Sequence, residues 1–131
     1  MASEEPTQSL YAAIGGEPPI RELVQRFYAI MDSDPLAAGI RAMHPPDLAS
    51  SIEKLSLFLI GWSGGPQTYI ETYGHPRLRA RHLPFPIGTP EAEQWMHCMA
   101  QALEDTVPDA PLADQLNATF TGIAAHMRNQ G

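Results

Sequence analysis

The sequence predicts an all-α fold, and three observations carry that reading. Apolar residues recur three and four positions apart over long stretches, and no segment alternates apolar and polar residues as a half-buried strand would. The 13 prolines and 10 glycines gather between these periodic segments, where they punctuate helices without breaking them. A chain of 131 residues holds one core, so residues 9–131 are expected to form a single domain after a flexible tail, 1–8.

Taken in order, Ser9 caps a short first helix, Leu10 to Ile14, and Gly15-Gly16 closes it. Pro18-Pro19 opens a second helix that runs to about Met31, since proline is tolerated in a first turn. Its apolar positions Ile20, Leu23, Val24, Phe27 and Met31 share one face, while Arg21, Glu22, Gln25 and Arg26 fill the other. After the turn at His44-Pro45-Pro46, Asp47 is a suitable N-cap for a helix carrying Leu48, Ile52, Leu55, Phe58, Leu59 and Trp62 inward, ended by Gly64-Gly65. Ser51 lies inside that stripe. Pro76 starts a short helix around Arg77 to His82 that must stop before Pro84. Thr89-Pro90 caps the next, with Glu91 and Glu93 near its positive end and Trp95, Cys98, Met99 and Ala102 on one face. A last helix from about Pro111 to Met127 aligns Leu112, Leu116, Phe120, Ile123 and Met127.

Composition narrows the function. With 15 acidic against 8 basic residues and a formal charge of −7, the chain has no general electrostatic support for binding nucleic acid. The single cysteine, Cys98, can form neither an intramolecular disulfide nor a CxxC zinc knuckle, which suits a reducing cytoplasm. Met1 to Gln8 lacks the basic-then-apolar character of a signal peptide. The longest apolar stretch, Leu55 to Trp62, is far short of the ~20 residues of a membrane span. There is no HExxH, GxSxG, Walker loop or GxGxxG frame.

Two features exceed what a plain helical bundle needs. Arg77, Arg79 and Arg81 concentrate three of the eight basic residues next to His82 in an acidic protein. On a helix His82 shares a side with Leu78 and Arg79, so an imidazole sits between an apolar contact and a cation. That face suits a flat apolar ligand with carboxylate edges. Haem has those properties, taking a histidine nitrogen on iron and guanidinium partners on its propionates. The alternative is a cofactor-free helical interaction module that binds an acidic partner through Arg77, Arg79 and Arg81. The second feature is polar atoms among apolar stripes: Tyr28 beside Phe27, Ser51 one turn before Leu55, and Trp95 on an inward face. Tyrosine and tryptophan are commonly buried with a satisfied polar tip, and Ser51 can bond back to the carbonyl of Asp47. Together with His82, these residues would provide an axial ligand and hydrogen-bond donors around a diatomic ligand.

These residues resemble a family, the group II truncated haemoglobins, over roughly Ser9 to Leu103. The most specific block is Tyr73-Gly74-His75-Pro76-Arg77-Leu78-Arg79-Ala80-Arg81-His82-Leu83-Pro84-Phe85, followed by Trp95-Met96-His97-Cys98-Met99. Arg26-Phe27-Tyr28, Phe58-Leu59 and Gly64-Gly65-Pro66-Gln67-Thr68-Tyr69 also look like the family pattern. The resemblance implies a two-over-two helical sandwich around haem b, with His82 on iron. It implies a cofactor-binding set of Leu55, Phe58, Tyr69, Leu78, Arg79, Arg81, His82, Phe85 and Met99. It also implies a distal pocket of Tyr28, His44, Ser51, Leu55 and Trp95, with Met43 replacing His44 if the register shifts by one. His75 is expected to shape the turn before the proximal helix, and His97 and His126 to be ordinary polar positions.

The expected partners are oxygen, nitric oxide and carbon monoxide, with peroxide or sulfide as further ligands and an external reductase as electron donor. No nucleic acid or membrane partner is expected, and the chain would act as a monomer or homodimer. Redox or sensing chemistry, such as nitric oxide or peroxide detoxification, is favoured over bulk oxygen transport.

Overall fold

A computed structural model of the protein describes residues 9–75, 82 and 85–129, and every described element is helical. In chain order these are α1 (Leu10–Ile14), α2 (Glu17–Ser33), a 3-10 turn (Pro35–Ala37), α3 (Ala38–Ala42), α4 (Ala49–Trp62), α5 (Thr68–Tyr73), α6 (Thr89–Thr106) and α7 (Ala110–His126). The expected tail, 1–8, and most of the expected Arg77 to His82 helix lie outside the described residues; His82 itself is helical.

Local chemistry explains the boundaries. The Ala12 N–H donates to Ser9 Oγ at 3.1 Å, and α1 ends at Gly15, whose φ of 111° is a left-handed conformation that only glycine adopts cheaply. The expected caps of the two long later helices move by one residue. Asp47 Oδ1 accepts from the Ala49 N–H at 2.9 Å, but Leu48 occupies the cap position. Gly88 caps α6, and Thr89 and Pro90 are its first helical residues, because the Glu91 carboxylate reaches back to accept the Gly88 N–H at 2.7 Å. Asp109 caps α7 by accepting from the Leu112 N–H at 3.2 Å.

The core lies where α2 crosses α6, with α4 packed on α2 and α7 on α6. This is a sandwich of two helix pairs. The expected apolar face of α2 is inside, with Val24 and Phe27 at 0% exposure. Cys98, Met99 and Ala102 of α6 are equally buried, and Leu116 and Phe120 of α7 complete the centre. Burying side chains of this size contributes about 1.5–3 kcal/mol each. Ion pairs tie the layers at their rims: Arg26 Nε donates to Asp105 Oδ2 at 2.7 Å between α2 and α6, and Arg21 Nη1 to Glu53 Oε1 at 3.0 Å between α2 and α4. No helix among the described residues is long and apolar enough to cross a membrane.

Helix α4 meets its expected orientation in part. Leu59 is buried as expected and Leu48, Ile52, Leu55, Phe58 and Trp62 pack on the core half-buried, whereas Ser56, Ile60 and Ser63 are also buried. Successive helical residues turn by about 100°, so Leu55 and Ser56 face different neighbours. The polypeptide thus buries the side of α4 that carries Ser56, Leu59 and Ile60 and leaves Leu48, Ile52, Leu55 and Phe58 partly exposed.

Candidate functional site

Helix α2 presents Phe27 and Tyr28 together, and the Phe27 ring acts as a hub. Tyr28 meets it edge-on with centroids 4.9 Å apart, and Trp95 of α6 lies 5.1 Å away on a tilted plane. Trp95 also contacts Phe120 at 6.2 Å, and Phe120 contacts Trp62 at 5.4 Å, so aromatic packing links all four long helices. Two residues with polar tips, Tyr28 and Trp95, are thereby packed against one phenyl ring.

His44 joins them from the loop before α4. Arg41 anchors that loop, donating through Nη1 and Nη2 to the Pro45 and Pro46 carbonyls at 2.9 Å each and through Nε to Asp32 at 2.8 Å. His44 Nδ1 lies 2.8 Å from the Ile40 carbonyl, and its ring meets that of Tyr28 at 5.7 Å. Tyr28 is 6% exposed, and burial pushes its hydroxyl pKa well above the ordinary tyrosine value. It therefore remains a neutral hydrogen-bond donor.

Ser51 and Leu55 are both half-buried on the partly exposed side of α4. Among the described residues Ser51 shows no bond to the Asp47 carbonyl. Further along the same helix, Phe58 meets Tyr69 of α5 at 5.9 Å, beside a cavity of about 160 Å³ lined by Phe58, Gly61, Trp62, Gln67, Tyr69 and Ile70. His82 is half-buried, and its carbonyl accepts from the Phe85 N–H at 3.0 Å and from Asn129 Nδ2 at 3.3 Å.

The remaining expected site residues fall differently. Met99 is wholly inside the protein core, and Phe85 is 41% exposed on the turn after His82. Met43 is half-buried beside His44. Leu78, Arg79 and Arg81, with Arg77, lie outside the described residues. His97 does more than an ordinary surface residue: its Nε2 lies 2.7 Å from Asp34 Oδ2, tying α6 to the turn after α2. Burial pushes the Cys98 thiol up to about 11, with the Asp34 charge adding to the effect, which marks an inert core cysteine.

The protein matches the family model for bacterial-like globins over residues 9–129. The chain belongs to this family. It is 43% identical to the group II 2-on-2 hemoglobin of Agrobacterium tumefaciens, whose structure superposes with a TM-score of 0.92 over 98% of this chain and 99% of that one. A cold-adapted truncated hemoglobin from Pseudoalteromonas haloplanktis also gives a TM-score of 0.92, at 38% identity over 95% of this chain and 100% of its own. Group 2 truncated hemoglobin YjbI of Bacillus subtilis is 39% identical over 120 residues, covering 92% of this chain and 88% of its own. The fold is the two-on-two globin sandwich of group II, and the globin's cofactor is haem b. Haem-based binding of diatomic gases such as oxygen follows. A cofactor-free interaction module built on Arg77, Arg79 and Arg81 finds no support in these relatives.

The residues present fit that cofactor. A macrocycle needs an apolar face, and Leu48, Ile52, Leu55 and Phe58 offer one that the polypeptide only half covers. Among the described residues no group of three or more His, Cys, Asp and Glu is placed to hold a metal ion. Porphyrin-held iron instead needs a single protein nitrogen, which one histidine supplies.

Proposed function

We propose that His82 is the axial ligand of the haem, and that Tyr28, His44, Ser51, Leu55 and Trp95 line the side where a diatomic ligand binds. Phe58 and Tyr69 would border the ring, and Arg79 or Arg81, with Arg79 preferred, would pair with a propionate. Haem would supply an iron able to bind a diatomic ligand, and the chain would supply His82 to hold it and the donors beside the ligand. The observation that carries this reading is the convergence of Tyr28 and Trp95 on Phe27, at 4.9 and 5.1 Å.

Donors fixed by packing in a low-dielectric site act strongly on a ligand that gains negative charge on binding, as oxygen does. Oxygen held in this way leaves slowly, which suits sensing or redox turnover better than bulk delivery. Conversion of nitric oxide and oxygen to nitrate consumes one electron, so repeated turnover calls for an external reductase. Rapid mixing of the oxygen-loaded protein with nitric oxide tests the reading: stoichiometric nitrate supports it. Oxygen release without nitrate, repeated with peroxide as the alternative substrate, leaves only reversible gas binding.

A further inference from the structure

His82 is helical, and Pro86 denies its backbone carbonyl the partner that a continuing helix would supply. In an α-helix the carbonyl of residue i accepts from the N–H of residue i+4, and the residue four places after His82 is Pro86, which has no N–H. The His82 carbonyl accepts instead from the Phe85 N–H at 3.0 Å and from the side-chain amide of Asn129 at 3.3 Å. That same amide nitrogen donates to the Phe85 carbonyl at 2.9 Å. Asn129 Oδ1 accepts from the Ile87 N–H at 2.9 Å, and the Asn129 backbone N–H donates to the Ile87 carbonyl at 2.8 Å. Its neighbour Arg128 donates through Nη1 to Thr89 Oγ1 at 2.9 Å, fastening the end of the chain to the start of α6.

One residue, Asn129, therefore engages the backbone of residues 82, 85 and 87 at once. An asparagine suits this position because it offers a two-hydrogen donor and an acceptor on one short planar group. We propose that Asn129 is a positioning residue for the axial histidine: by clasping the turn after His82 it fixes the backbone from which the imidazole projects. This rests on the reading of His82 as the iron ligand. A ligand whose backbone is held in one place gives one iron–nitrogen geometry, whereas a frayed helix end gives a spread of them.

The test is the iron–histidine stretching band of the ferrous, ligand-free holoprotein by resonance Raman spectroscopy, with the rate of haem transfer to an acceptor protein as second readout. Asn129→Ala removes the side-chain bonds. Asn129→Asp keeps the size and the acceptor for Ile87 but loses the donors to His82 and Phe85. Both variants should shift and broaden the band and speed haem loss about two- to tenfold, the scale of one net hydrogen bond. An unchanged band in both variants overturns the proposal, even if the thermal midpoint falls, because Asn129 would then hold the fold without acting on the ligand. His82→Gly separates the two inferences. It should lose the band and recover an iron–imidazole band with free imidazole; a band that survives His82→Gly refutes the ligand assignment itself.

Discussion

The imidazole of His44 meets the ring of Tyr28 edge to face, with centroids 5.7 Å apart and planes at 75°. The Ile40 carbonyl, 2.8 Å from His44 Nδ1, can only accept, so the ring carries a proton on that nitrogen. In the neutral ring Nε2 is then an acceptor. The Tyr28 hydroxyl can donate, accept and rotate, whereas the indole of Trp95 only donates.

The burial of Tyr28 predicts a stability effect in alkali. Its hydroxyl keeps its proton above the ordinary value of about 10, where the unfolded chain releases it. The native state then binds more protons than the unfolded one, so this contribution is intact below about pH 10 and stability falls as pH rises beyond it. Tyr28→Phe removes that loss. Urea unfolding at about pH 8 and pH 10.5 should show the variant gaining on the parent; a constant difference would mean that the hydroxyl reaches solvent.

A second pH dependence has the opposite sense. The His97 hydrogen bond, aided by the Leu36 N–H, holds the Asp34 carboxyl below its usual range. Here the unfolded chain binds more protons in acid, so the contribution is present above the ordinary carboxylate range and lost as pH falls through the folded value. Asp34→Asn keeps an oxygen for the Leu36 N–H, which Asp34 Oδ1 accepts at 2.9 Å, and removes the charge. Thermal midpoints from about pH 6 down to about pH 3 should therefore fall less steeply in the variant than in the parent. Parallel curves would show that the pair contributes nothing.

Two glycines should respond in opposite directions to alanine. A Cβ on Gly65 would come 2.5 Å from the Tyr11 ring and 2.9 Å from the Ile60 carbonyl oxygen; the ring can swing away but the helix carbonyl cannot. Gly65→Ala should cost about 1–3 kcal/mol. Gly122, inside α7, has nothing within 4 Å of such an atom. Gly122→Ala should stabilise by about 0.5–1 kcal/mol, and denaturant midpoints moving in the same direction for both would contradict this packing.

The long helices were legible because each carries its own periodic signal. Ile20 to Met31 and Leu112 to Ile123 mark buried faces without help from the rest of the chain. Helices α3 and α5 carry too few residues for a period and depend on tertiary partners: Gln94 Oε1 accepts the Ile40 N–H at 3.0 Å, and Tyr69 docks on Phe58. On α4 the apolar stripe packs on the core, but of its members only Leu59 is buried, while Ser56, which hydrophobicity could not mark, is at 0% exposure. The clustering of Tyr28 and Trp95 on Phe27, and of His44 on Tyr28, follows the family motif, whereas the contacts of Asn129 were not legible, since its partners lie more than 40 residues away.

We propose that Trp95 is the dominant donor to bound oxygen, which is tested most directly by stopped-flow oxygen dissociation, with carbon monoxide dissociation as the control for a nearly neutral ligand. Loss of one charge-assisted hydrogen bond of ~1.5–3 kcal/mol should speed oxygen release from Trp95→Phe roughly ten- to a hundredfold, and carbon monoxide release far less. Tyr28→Phe should have the smaller effect, because a hydroxyl can rotate away from the ligand. Oxygen release from Trp95→Phe within about twofold of the parent, well under a 1.4 kcal/mol effect, would contradict the account and restore a transport role.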